Sequence, residues 1–138
     1  MKIRTISMFV VGAAAALALP AFAGPQKAGK WATTVKVEMP GMPMQMPAIT
    51  HEVCVTPEEA EKPQPPRSQR QQDCTISDYK IEGNTVSWKM SCPKSNMTGE
   101  GKMTYSGDSF DGLMHAKMGD QEVTTHYTGK RLGDCDKK

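Results

Sequence analysis

The sequence predicts an all-β domain, a curved antiparallel meander forming a half-barrel or small barrel, with one short helix and two disulfides. Three observations predict it. From Cys74 onward, short runs of alternating apolar and polar residues are separated by Gly-Asn or Gly-Asp pairs, the residues that two-residue hairpin turns require. Pairing those runs through their turns produces one continuous apolar face, which a slip of one residue would scatter. The chain also carries four cysteines, an even number in a small exported protein, which implies two bridges.

Export is read from the first residues. Lys2 and Arg4 give a positive start, Met8 to Leu19 an apolar run, and Ala21-Phe22-Ala23 a small-residue cleavage site after Pro20. Residues 1–23 are therefore expected to be a signal peptide, and 24–138 a single β-domain. The apolar run is too short to span a bilayer as a helix, and no cysteine follows the cleavage site to take a lipid. The expected location is the bacterial periplasm. Of the 17 lysines and arginines, Lys2 and Arg4 leave with the signal, so 15 bases face 15 acids. A neutral balance lacks the basic footprint of a nucleic-acid binder or of a segment that binds anionic membranes.

In the mature part, Trp31, Thr33, Val35 and Val37 alternate with polar or small residues and read as a half-buried strand. The Met- and Pro-rich stretch 39–47 follows, and its three prolines exclude a central strand or a helix. Ile49, Val53 and Val55 mark a second strand. Thr56-Pro57-Glu58-Glu59 is a helix start, with Thr56 as cap, Pro57 in the first turn and Glu59 completing a capping box. Pro63 ends that helix, and 63–73, rich in Pro, Gln and Arg, reads as an exposed loop.

Strands are expected at about 75–82, 85–92, 97–106, 109–118 and 121–132, from their alternating patterns and turns. A Gly107-Asp108 loop pairs Tyr105 with Phe110, Met103 with Gly112, Gly101 with Met114 and Gly99 with Ala116. A Gly119-Asp120 loop pairs Ala116 with Val123, Met114 with Thr125 and Gly112 with Tyr127. Glycines facing large residues in mid-strand imply bending or a close approach of other chain. At Gly83 two registers compete. One pairs Ile81 with Val86 and Tyr79 with Trp88, and the other pairs Cys74 with Cys92. A bulge near Thr75 or Ser91 would reconcile them. The favoured bridges are Cys74–Cys92 and Cys54–Cys135, with Cys54–Cys74 and Cys92–Cys135 as the alternative.

The segments Gly29-Lys30-Trp31, Met39-Pro40-Gly41-Met42-Pro43, Cys54-Val55-Thr56-Pro57-Glu58, Cys74 to Tyr79, Gly83 to Trp88, Tyr105 to Phe110 and Gly129-Lys130-Arg131-Leu132-Gly133-Asp134-Cys135 resemble a bacterial family catalogued as domain of unknown function 3617. The resemblance runs over nearly the whole mature chain. It implies an exported, cysteine-containing domain and assigns no catalytic residue.

Several constellations could carry function. The apolar face collects Trp88, Met97, Met103, Tyr105, Phe110, Met114 and Tyr127, as either a filled core or a cavity for a small apolar ligand. Met42, Met44 and Met46, with His51 nearby, offer soft donors suited to Cu(I). They alternate, so an extended chain would point them one way. Glu100, His115 and His126 fall near one another on the opposite face, as zinc ligands or an acid–base set would. Gly29-x-Trp31 with a late Arg131 resembles the lipocalin arrangement of a first-strand Trp covered by an Arg.

Nucleophile elbows, zinc-protease helices and phosphate-binding loops are absent from the sequence, and bridged cysteines cannot act as nucleophiles. The expectation is a monomeric, non-enzymatic binding or envelope-associated domain without a cofactor. It would bind a small apolar ligand or an envelope protein, with a periplasmic Cu(I) carrier as the alternative.

Overall fold

The structure is a computed structural model, and it describes residues 24–42, 46–65 and 73–136. The signal-peptide expectation for 1–23, and Met44, lie outside the described residues. Seven strands form one antiparallel sheet: β1 (Gly29–Glu38), β2 (Ile49–Val55), β3 (Thr75–Glu82), β4 (Thr85–Cys92), β5 (Met97–Ser106), β6 (Ser109–Met118) and β7 (Gln121–Gly133). Their order across the sheet is β2-β1-β7-β6-β5-β4-β3. Among the described residues β2 and β3 are therefore the edges, and the sheet is open, not a closed barrel.

The strands follow the alternation. β4 is buried at every second residue, Val86, Trp88, Met90 and Cys92, with Lys89 and Ser91 exposed. The β5–β6 and β6–β7 hairpins take the registers their turns dictate: Tyr105 faces Phe110, Met103 faces Gly112, Gly112 faces Tyr127 and Ala116 faces Val123. Gly107 and Gly119 have φ of 67° and 60°, the left-handed conformation that such turns need.

The conflict at β3–β4 is resolved by a bulge, placed differently from the expectation near Thr75 or Ser91. Ile81 pairs with Val86 and Ser77 with Lys89, so Asp78 and Tyr79 together oppose Trp88. Asp78 sits at φ 50°, and Asp is among the few residues with a side chain that tolerate this region. The extra residue lets both expected pairings exist on one strand. Beyond Thr75–Ser91, the ladder brings Cys74 and Cys92 together as a disulfide with a Cα separation of 4.2 Å. The second bridge joins Cys54 to Cys135.

The connection from β2 to β3 joins opposite edges of the sheet, so it must cross a face. It starts in α1 (Pro57–Glu61), whose capping box is complete: Glu59 N–H donates to Thr56 Oγ1 at 3.3 Å and Thr56 N–H to Glu59 Oε2 at 2.9 Å. Ala60, Pro63 and Pro65 are buried, and the Tyr79 hydroxyl donates to the Pro63 carbonyl at 2.7 Å. Tyr79 packs against the core, so the described crossover lies on the apolar face. Its prolines were expected in an exposed loop. The two-edge topology requires the chain there to cover apolar surface, and proline supplies that without a backbone N–H to satisfy.

The core gathers Trp31 from β1, Val86 and Trp88 from β4, Met103 and Tyr105 from β5, and Phe110 from β6. A second cluster holds Met90, Cys92, Met97 and Met114. Trp31 Nε1–H donates to the Lys27 carbonyl at 3.0 Å, which satisfies the one polar atom of an indole only 1% exposed.

Candidate functional site

The face opposite the core carries a groove of about 1010 Å³ running across β3 to β7. The same registers that bury Gly101 and Met103 turn Glu100, Lys102 and Thr104 outward on β5. On β6 they turn out Asp111, Leu113 and His115, and on β7 His126 and Thr128. One cross-strand row reads Lys80, Ser87, Lys102, Leu113, His126. Lys80 enters that row through the tight turn at Gly83, whose register runs unbroken from Glu82 opposite Thr85 to Lys80 opposite Ser87. Leu113 is the one aliphatic side chain of the groove, and Gly101 and Gly112, whose Cβ positions face the core, also line it.

The charges of the groove are partly committed. Lys89 pairs with Asp78 at 3.2 Å. Among the described residues, Lys80, Lys102, Glu100 and Asp111 form no ion pair. His115 Nδ1 shares a hydrogen bond with Thr124 Oγ1 at 3.1 Å, and His126 Nε2 lies 3.5 Å from Glu38 on β1. The two imidazoles are thus engaged on different partners. No group of three His, Cys, Asp or Glu among the described residues could hold a metal, so the Glu100, His115 and His126 constellation does not converge. The diagonal His pair is the reason: each ring finds a nearer partner on the neighbouring strand. Lys36, 2.8 Å away, and secondarily His126 hold the Glu38 carboxyl below the usual carboxylate range.

The methionine loop builds a second, smaller cavity of about 390 Å³, lined by Val37, Glu38, Met39, Met42, Met46 and Thr124 among others. Over residues 39–42 the chain turns. Met42 N–H donates to the Met39 carbonyl at 3.3 Å, and Gly41 has φ 89°. This turn places Met39 and Met42 on the same cavity as Met46, and the expected alternation through Met44 lies outside the described residues. Met42 and Met46 are exposed, and His51 lies on β2 opposite Thr33 and does not line this cavity.

The seven apolar-face residues are placed as packing. Trp88, Met97, Met103, Tyr105, Phe110 and Met114 are all less than 10% exposed and sit in the two core clusters. Tyr127 is half-buried against both clusters, and its hydroxyl points to Met114 Sδ at 4.0 Å. Only Trp88 and Tyr127 of the seven also touch the groove. Burial pushes the phenols of Tyr105 and Tyr127 upward, Tyr105 to about 12.

Gly29, Trp31 and Arg131 do meet. Trp31 pairs with Arg131 across β1 and β7, and Arg131 Nε donates to the Ala28 carbonyl at 2.9 Å. The guanidinium fills the space beside Gly29 and reaches Asp134 at 2.8 Å. Here the arrangement anchors the chain before β1 to an open sheet; it does not close a barrel over a ligand.

Lys80, Lys102, Leu113 and Asp111 are not among the site residues expected from the sequence, although projecting the hairpin registers onto the polar face places all four; the two-residue turn at Gly83 sets Lys80 opposite Ser87.

No helix among the described residues is long and apolar enough to cross a membrane. No curated protein and no solved structure matches the chain. A family model described as protein of unknown function (DUF3617) matches residues 26–135. That span takes in all seven strands, both disulfides and the whole of the groove, and the chain belongs to this family.

Proposed function

We propose that this protein is a non-enzymatic binding domain of the bacterial envelope, exported by its N-terminal signal, and that it binds through the polar groove. One observation carries the reading: Lys80 and Lys102, two ammonium groups with no ion pair among the described residues, flank Ser87 in a row that continues to Leu113 and His126. Alternate strands lie about 10 Å apart, within the combined reach of two lysine side chains. The row suits an amphiphile whose acidic group rests between the lysines and whose apolar part lies on Leu113. The apolar side chains expected to line a ligand cavity form the core instead, so the reading moves to the other face.

The test is an NMR titration of the isotope-labelled, oxidised protein with dihexanoyl phosphatidylglycerol below its micelle concentration. Saturable shifts at Lys80, Ser87, Lys102 and Leu113 are expected. The double change Lys80→Ala and Lys102→Ala should weaken binding by about tenfold or more, since each charge-assisted contact contributes about 1.5–3 kcal/mol. Shifts confined to another surface would refute the reading.

A second reading has its own observation. Met39, Met42 and Met46 line one cavity beside Glu38, a soft donor set suited to Cu(I). Competition against a chromogenic Cu(I) chelator should show one equivalent bound, lost when the three are changed to Leu. Unchanged competition in that variant would remove the copper reading.

A further inference from the structure

The two free edges of the sheet are built differently. β3 is guarded in the ways edge strands usually are: it has a bulge at Asp78 and Tyr79, a positive φ at Asp78, and Lys80 beside them. β2 has none of these. Its register with β1 is unbroken from Val55 to Ile49, and the strand contains no lysine, arginine or proline. Its one acid, Glu52, is tied to Lys30 of β1 at 2.8 Å. Ile49 and Val53 stand exposed at 66% and 40% on the face that is apolar in the rest of the sheet.

We infer that β2 is the contact of a homodimer, in which the β2 strands of two copies pair antiparallel and continue the sheet. The strand is self-complementary. A two-fold axis normal to the sheet keeps each copy's apolar face on the same side, so residues of like parity must face each other. With the axis at His51, Ile49 faces Val53 of the partner subunit, and Thr50 faces Glu52 of the partner subunit. Centring on Glu52 would oppose two like charges, and centring on Thr50 would set Ile49 against a histidine. The His51 register matches aliphatic with aliphatic on both sides of the axis, sets His51 against His51 of the partner subunit, and leaves no like charges directly opposed on the polar face. The dimer uses a different part of the molecule from the groove and replaces the expectation of a monomer.

Sedimentation equilibrium of the oxidised protein, from micromolar to near-millimolar concentration, tests this. The mass should rise with concentration toward twice that of the monomer. Val53→Lys should raise the dimer dissociation constant by about tenfold or more, the equivalent of roughly 1.4 kcal/mol. Ile81→Lys, an exposed aliphatic on the guarded edge, should leave it unchanged. Should Val53→Lys fail to fold, hydrogen exchange of the unaltered protein decides: residues 49–55 should gain protection on concentration. A monomer at every concentration, or a dimer whose β2 amides exchange alike when dilute and concentrated, overturns the proposal.

Discussion

Trp88 and Gly101 face each other across β4 and β5, and the indole occupies the space that any side chain at 101 would need. The relationship repeats along the sheet. Met103 lies over Gly112 on β6, where a Cβ would stand 2.7 Å from Met103 Cγ, and Phe110 lies over Gly129 on β7. Each large side chain thus leans onto a glycine of the next strand, which lets four adjacent strands share one thin core. Gly101→Ala should cost about 1–3 kcal/mol through overpacking against a rigid ring. Urea denaturation monitored by Trp fluorescence measures it, and a loss below about 0.5 kcal/mol would mean that the indole moves freely.

The alkaline stability of the protein should depend on Tyr105. Its phenol is buried with a pKa of about 12, against roughly 10 in the unfolded chain. A raised pKa of this kind favours the folded state fully below pH 10 and loses that contribution as pH rises toward 12. Two units correspond to roughly 3 kcal/mol. The urea midpoint should fall as pH rises from about 10 toward 12, and the fall should be visibly smaller in Tyr105→Phe. Burial shifts Tyr79 and Tyr127 the same way, so part of the fall should persist.

The two disulfides should differ in what they hold. Their sequence separations are 18 and 81 residues, for which chain entropy gives about 3 and 4.5 kcal/mol. Replacing Cys54 and Cys135 with Ala should therefore cost more, and should also loosen β2, six of whose seven residues are exposed. Hydrogen exchange should show β2 opening while β5 and β6 stay protected. Equal losses from both paired replacements would argue against the loop-length account.

Asp78 carries backbone strain at φ 50°. Asp78→Gly should be neutral or stabilising by up to about 1 kcal/mol, because glycine adopts this region freely. The surface pair it loses with Lys89 contributes at most about 1 kcal/mol. Asp78→Val should destabilise by about 1–3 kcal/mol. Thermal melts of the two variants decide, and a Val variant as stable as the parent would contradict the bulge.

The sequence by itself determined the strands, the three tight turns and the registers of β5, β6 and β7. These are local matters: a two-residue turn fixes the pairing of its own hairpin, and a period of two fixes which side chains share a face. The Thr56 capping box was legible for the same reason, since its partners lie three residues apart. Tertiary structure decided the rest. Nothing in the period of β1 says that Trp31 will sit beside Arg131 of β7, a pairing about a hundred residues long-range. The β3 bulge arose where a hairpin register and a disulfide made incompatible demands, and Asp78 absorbed the difference. The row of Lys80, Ser87 and Lys102, by contrast, is set by turn-fixed hairpin registers on the near side of that bulge. Alternation sorts residues into two faces, but only the placement of Ala60, Pro63 and Pro65 over the apolar one decides which face is covered.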